Sequence, residues 1–106
     1  MARRNWSDDE CAVLVALFMQ SSFALGDDGR QENKLIAKDY AREPGSIDRQ
    51  WRNIKDYLNR EPGKNISGVL KYYCDVATDD IGTLKNLAVY LCEKNKWCLI
   101  MELLKR

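Results

Sequence analysis

Residues 11–19 are apolar without a break: Cys11, Ala12, Val13, Leu14, Val15, Ala16, Leu17, Phe18 and Met19. A surface helix shows an apolar stripe and a polar back, and this run has no polar back. It is also far too short to cross a bilayer, which takes about 20 apolar residues. The residues before it, Trp6-Ser7-Asp8-Asp9-Glu10, open a helix. Ser7 and Glu10 have the spacing of a capping box, and Trp6 and Cys11 stand where a hydrophobic staple closes the first turn. The three acids suit the positive end of the helix dipole and have the wrong sign for a signal peptide. The expectation is a central helix that the rest of the chain must cover on several sides.

With 106 residues, 45% of them hydrophobic and three of them Trp, one domain with one core is the natural solution. The remaining apolar residues fall at helical spacing, and no alternation of the strand kind survives a count. Residues 30–42 form one helix, with Leu35, Ile36, Ala37, Tyr40 and Ala41 inward. Pro44-Gly45 then punctuates the chain, and a helix over residues 46–60 follows, with Ser46 as its cap and Asp48 in its first turn. Ile47, Trp51, Ile54 and Leu58 make one stripe of that helix. Arg49, Arg52, Asn53, Asp56 and Arg60 occupy the other face, where Asp48 and Asp56 each lie one turn from Arg52 and can pair with it.

Beyond a loop at residues 60–63, Ile66, Val69, Leu70, Tyr73 and Ala77 form a stripe, and residues 78–80 cap a further helix carrying Ile81, Leu84, Leu87, Ala88 and Leu91. Asn95-Lys96 breaks the pattern before a last helix with Trp97, Ile100, Met101 and Leu104 inward. Leu99 and Leu103 lie outside that stripe, and their exposure would favour self-association; a monomer is otherwise expected. Both prolines fall in loops. The fold class is all-α: a compact single-domain bundle of five or six helices over residues 1–106, with residues 64–106 packing on the first half.

The chain has no histidine, which removes the commonest general base and metal ligand. Its cysteines, at 11, 74, 92 and 98, include no C-x-x-C pair. Each sits in an apolar helical run, as buried reduced thiols do, with a Cys-only metal site or a disulfide as the alternative. No glycine-rich phosphate loop is present. The expectation is a non-enzyme with no cofactor and no metal, cytoplasmic and away from membranes. Formal net charge is +1, and residues 1–62 hold 10 basic and 11 acidic side chains. The chain is thus neither a polycation nor an acidic mimic of DNA.

Trp6-Ser7-Asp8-Asp9-Glu10, the apolar helix, Ile36-Ala37 and then residues 45–53, Gly-Ser-Ile-Asp-Arg-Gln-Trp-Arg-Asn, together resemble a Myb/SANT-type three-helix unit. They resemble still more the N-terminal helix-turn-helix-like module found ahead of some bacterial HNH endonucleases. The likeness covers residues 5–58. It implies DNA contact by the third helix through Arg49, Arg52 and Asn53. A DNA-binding reading of the residues adds Lys55, Arg60 and an Arg3-Arg4 arm. In size, helical build and missing chemistry the whole chain is similar to small phage-encoded anti-CRISPR proteins. That likeness implies a protein partner, either a CRISPR effector complex or its nuclease, in the host bacterial cytoplasm.

The residues and these resemblances together lead to two expected functions. The first is a non-catalytic inhibitor that binds a protein through the 46–60 helix, because a face carrying both signs and several Arg suits a protein interface. The alternative is a DNA-binding module with the same helix in the major groove.

Overall fold

The apolar run becomes the middle of a helix that solvent does not reach. In the computed structural model, which describes residues 6–20, 30–59 and 66–105, α1 spans Asp8–Gln20, and every residue from Glu10 to Phe18 is buried. Five more helices follow: α2 (Arg30–Tyr40), α3 (Pro44–Leu58), α4 (Gly68–Asp79), α5 (Ile81–Asn95) and α6 (Cys98–Leu104). The described residues contain no strand. The radius of gyration, 12.7 Å, is that of one closely packed domain of this length.

The helices close on one another in a circuit. α2 packs on α3, α3 on α4, α4 on α5, α5 on α6, and α6 back on α2. α1 runs inside the circuit and touches α3, α4, α5 and α6, most extensively α5 and α4. An all-apolar helix needs such a surround, since each fully buried Val, Leu or Phe contributes about 1.5–3 kcal/mol that exposure would forfeit. Cladding from all sides is therefore the arrangement that residues 11–19 demand.

The start of α1 follows its sequence. The Ser7 amide donates to Glu10 Oε1 at 2.9 Å, and the Glu10 amide donates to Ser7 Oγ at 3.1 Å, a complete capping box. Ser67 caps α4 through the Leu70 amide, and Asp80 closes α4 and caps α5 in a single residue, accepting from the Thr83 amide and hydroxyl.

Several helix limits depart from the sequence expectations. α3 begins at Pro44 with Glu43 as its N-cap, so Ser46 is not the cap and Asp48 lies beyond the first turn. The reason is that proline suits the first helical position, where its fixed φ fits and its missing N–H has no intrahelical partner to lose. Pro44 is thus helical, not a loop residue; Pro62 lies outside the described residues. α2 stops at Tyr40, because Ala41 takes the left-handed conformation (φ 54°) and the Arg42 amide turns back to the Ala37 carbonyl at 2.9 Å. Lys96 ends α5 in the same way, at φ 60°, with the Trp97 amide on the Cys92 carbonyl. α3 gives way at Asn59, short of Arg60.

Several side chains also differ from expectation, among them Ala41, expected inward and found exposed. Leu103 is buried and Leu99 half-buried, so α6 offers no leucine surface for self-association; the Leu103 carbonyl also accepts from Gln20 Nε2 at 3.2 Å. Ile81 is exposed, because it is the first residue of α5, one turn ahead of the buried Leu84. Cys98 is exposed at the first position of α6, whereas Cys11, Cys74 and Cys92 are buried; all four are free thiols.

Candidate interaction surface on α3 and α2

α3 is held from within by contacts to three helices. Ile47, Trp51 and Ile54 are buried, with Leu58 half-buried behind them. The Trp51 ring lies 4.8 Å from Phe18 of α1, and its Nε1–H donates to Asn33 Oδ1 of α2 at 2.7 Å, which satisfies the one polar atom of a buried indole. Near its other end the Tyr57 hydroxyl donates to Asp75 Oδ1 of α4 at 2.8 Å. The helix is a fixed rod whose outer side chains are presented in a set direction.

The outer side carries Arg49, Arg52 and Lys55, all exposed, with Asn53 and Asp56 half-buried at its edges. Arg52 Nη2 lies 3.1 Å from Asp48 Oδ2, an i,i+4 pair whose arginine is 72% exposed and whose aspartate is 30% exposed. At that exposure the pair stabilises the helix by no more than about 0.5 kcal/mol, and it is a surface feature more than a structural one. Asn53 Nδ2 makes a long 3.4 Å contact to Gln50 Oε1 on its own helix. Of the residues singled out in the sequence, α3 therefore brings Arg49, Arg52, Asn53 and Asp56 together. Arg3, Arg4 and Arg60 lie outside the described residues.

Sequence reasoning missed the share of this surface that belongs to α2. Lys34 and Lys38 are exposed, one turn apart, on the side of α2 opposite the buried Asn33, Ile36, Ala37 and Tyr40. α2 and α3 are neighbours in the circuit. Among the described side chains of the pair, the exposed cations are Lys34, Lys38, Arg49, Arg52 and Lys55, and the exposed acid is Glu43. Glu32, Asp39, Asp48 and Asp56 are half-buried. Asp39 points to α6, where its Oδ2 accepts from the Ile100 amide at 2.9 Å. On α2 and α3 the cations are thus more exposed than the acids, which lie between them. The helical spacing of Lys34 and Lys38 was the available signal. What could not be read was that α2 flanks α3 on the outside of the fold.

The other polar chemistry holds the structure together. Arg42 Nε and Nη2 donate to Glu10 Oε2 and Oε1 at 2.9 and 3.0 Å, and the guanidinium lies 4.1 Å above the Trp6 ring. The Tyr40 hydroxyl donates to the Glu10 carbonyl at 2.9 Å. Burial drives the three inner thiols away from ionisation: Cys11 is pushed up to about 11, and Cys74 and Cys92 each to about 12. Such thiols are poor nucleophiles. Among the described residues no three His, Cys, Asp or Glu side chains gather as a metal would need, and no helix is long and apolar enough to cross a membrane.

Set against protein families, curated proteins and solved structures, the chain finds no match in any of the three.

Proposed function

We propose that this chain is a non-catalytic binding protein that acts by covering a surface of a protein partner, with the outer face of α3 as its contact. The observation that supports this reading is the contrast between the two sides of α3. Its inner side is fixed by Phe18 and Asn33 and its end by the surface bond from Tyr57 to Asp75, while Arg49, Arg52 and Lys55 stand exposed on its outer side beside Asp48. A rigid helix that displays arginines and acids in fixed register loses little entropy on docking and selects its partner by charge pattern. Small size, an all-helical build and the absence of histidine fit an inhibitor of bacterial defence of the anti-CRISPR type, acting in the host cytoplasm on an effector complex or its nuclease.

The test is a phage challenge of cells that carry an active, targeting CRISPR system. Expression of the chain restores plaques, the chain co-purifies with the effector complex or its nuclease, and R49A/R52A loses both effects. Continued immunity in wild-type-expressing cells across the effector types, with no complex retained, rejects the reading.

The exposed cations of α2 and α3 favour a second reading, a helix-turn-helix or Myb-like module over residues 5–58 that lays α3 in the major groove of DNA. A gel shift with duplex DNA that weakens steeply as salt rises supports it; no shift at physiological salt rejects it.

A further inference from the structure

We infer that the joint outer face of α2 and α3 docks an acidic protein surface, one rich in Asp and Glu side chains, with Lys34 and Lys38 extending the contact beyond α3. This rests on the reading of α3 as the contact helix and names the chemistry of what it meets. Charge complementarity carries the inference. Lys34, Lys38, Arg49 and Lys55 have no ion pair or hydrogen bond among the described residues, and all four are exposed on adjoining helices. Arg52 is paired with Asp48. Solvated cations left without partners on a rigid surface cost the free protein little and attract an anionic one, steering its approach.

The same face argues for an acidic protein over a nucleic acid. Glu43, Asp48 and Asp56 lie among the cations, where an evenly spaced row of phosphates would meet repulsion at each of them. A protein surface places its carboxylates singly and can leave gaps, or cations, opposite those acids. Reading an adenine edge requires an amide free to present both its donor and its acceptor. Asn53 is half-buried and turns its donor toward Gln50. The exposed charges of α4, α5 and the Asp80 cap between them are balanced: Lys71, Lys85 and Lys94 stand alongside Asp75, Asp79, Asp80 and Glu93. The α2–α3 face is therefore distinguished by its local excess, not by the charge of the whole molecule.

The experiment uses the full chain and fluorescent poly-L-glutamate as the probe, followed by anisotropy, with duplex DNA as the comparison. Binding to poly-L-glutamate is expected, weakening as ionic strength rises from about 0.05 to 0.3 M. K34E/K38E and R49E/K55E each weaken it by about tenfold or more, while K71E/K85E on α4 and α5 leaves it unchanged. No binding to poly-L-glutamate overturns the inference. An equal loss in K71E/K85E does so too, since net charge alone would then explain the binding, as does tighter binding to duplex DNA than to poly-L-glutamate. The phage challenge separates the two levels. A wild-type chain that restores plaques yet ignores poly-L-glutamate sinks this inference and leaves the inhibitor reading standing. The reverse pattern keeps the acidic-surface contact and removes the inhibitor.

Discussion

Arg42 grips Glu10 with both arms of its guanidinium, Nε to Oε2 at 2.9 Å and Nη2 to Oε1 at 3.0 Å, and only 9% and 8% of the two side chains reach solvent. The pair ties the residue after the α2 turn to the first turn of α1. Removing the guanidinium leaves a carboxylate in a poorly solvated site with the Ser7 amide still bonded to it. R42A is therefore expected to lose about 3–5 kcal/mol by urea denaturation. R42K keeps the charge but not the fork and is expected to lose less. In a double-mutant cycle, E10A/R42A should be much less destabilised than the sum of E10A and R42A. Additive losses would mean that the two groups do not interact.

Ala41 and Lys96 occupy the left-handed region, at φ 54° and 60°, where a side chain is strained and glycine is not. A41G and K96G should each stabilise the fold by about 0.5–1 kcal/mol, because relief of that strain exceeds the entropy glycine gains in the unfolded chain. Thermal denaturation reads the change. A lowered Tm in both variants would contradict these backbone conformations.

Asp80 is held below the usual carboxylate range by the Thr83 hydroxyl and the Thr83 amide. A group whose folded pKa is depressed binds its proton more readily when unfolded. Its contribution is fully present above the unfolded value, near 3.8, and disappears as pH falls through the lower folded value. D80N should therefore show a flatter loss of stability below pH 4. NMR titration of the Asp80 carboxyl should give a midpoint below the ordinary one, and an ordinary midpoint would show that the cap does not hold.

Cys98 is exposed, and the other three cysteines are buried, with thiols raised to about 11 or 12. A chromogenic disulfide reagent at pH 8 should react quickly with one thiol of the folded protein and with the remainder only on unfolding. C98S should abolish the fast phase. A fast phase that survives would place another thiol at the surface.

The features legible in the sequence were those decided by near neighbours along the chain. The Ser7–Glu10 box, the Ile47–Trp51–Ile54 stripe, the Asp80 cap and the break at Asn95-Lys96 all formed as their spacing implied. Arg49 and Arg52 faced out, and Arg52 found Asp48 one turn away. What escaped was set at long range. Glu10 has a second partner 32 residues on, and Asp39 reaches the Ile100 amide across 61 residues. Leu103 was misplaced because burial in a short helix depends on which elements cover it, and α6 is covered by α1, α2 and α5. Pro44-Gly45 was misread because the same dipeptide serves to end one helix or to open the next. The cations of α2 joined the α3 surface only once the order of helices around α1 was known.

That order bears on how the chain must be made. The ribosome releases α1 before α4, α5 and α6, the helices that shield it. Until those later helices emerge, the oiliest segment of the nascent chain has no permanent shelter and is open to clumping with other chains or to capture by a chaperone. Shortening the chain from its distal end therefore strips cover from its beginning, and a fragment holding only α1 to α3 would expose an apolar flank that the intact protein never shows.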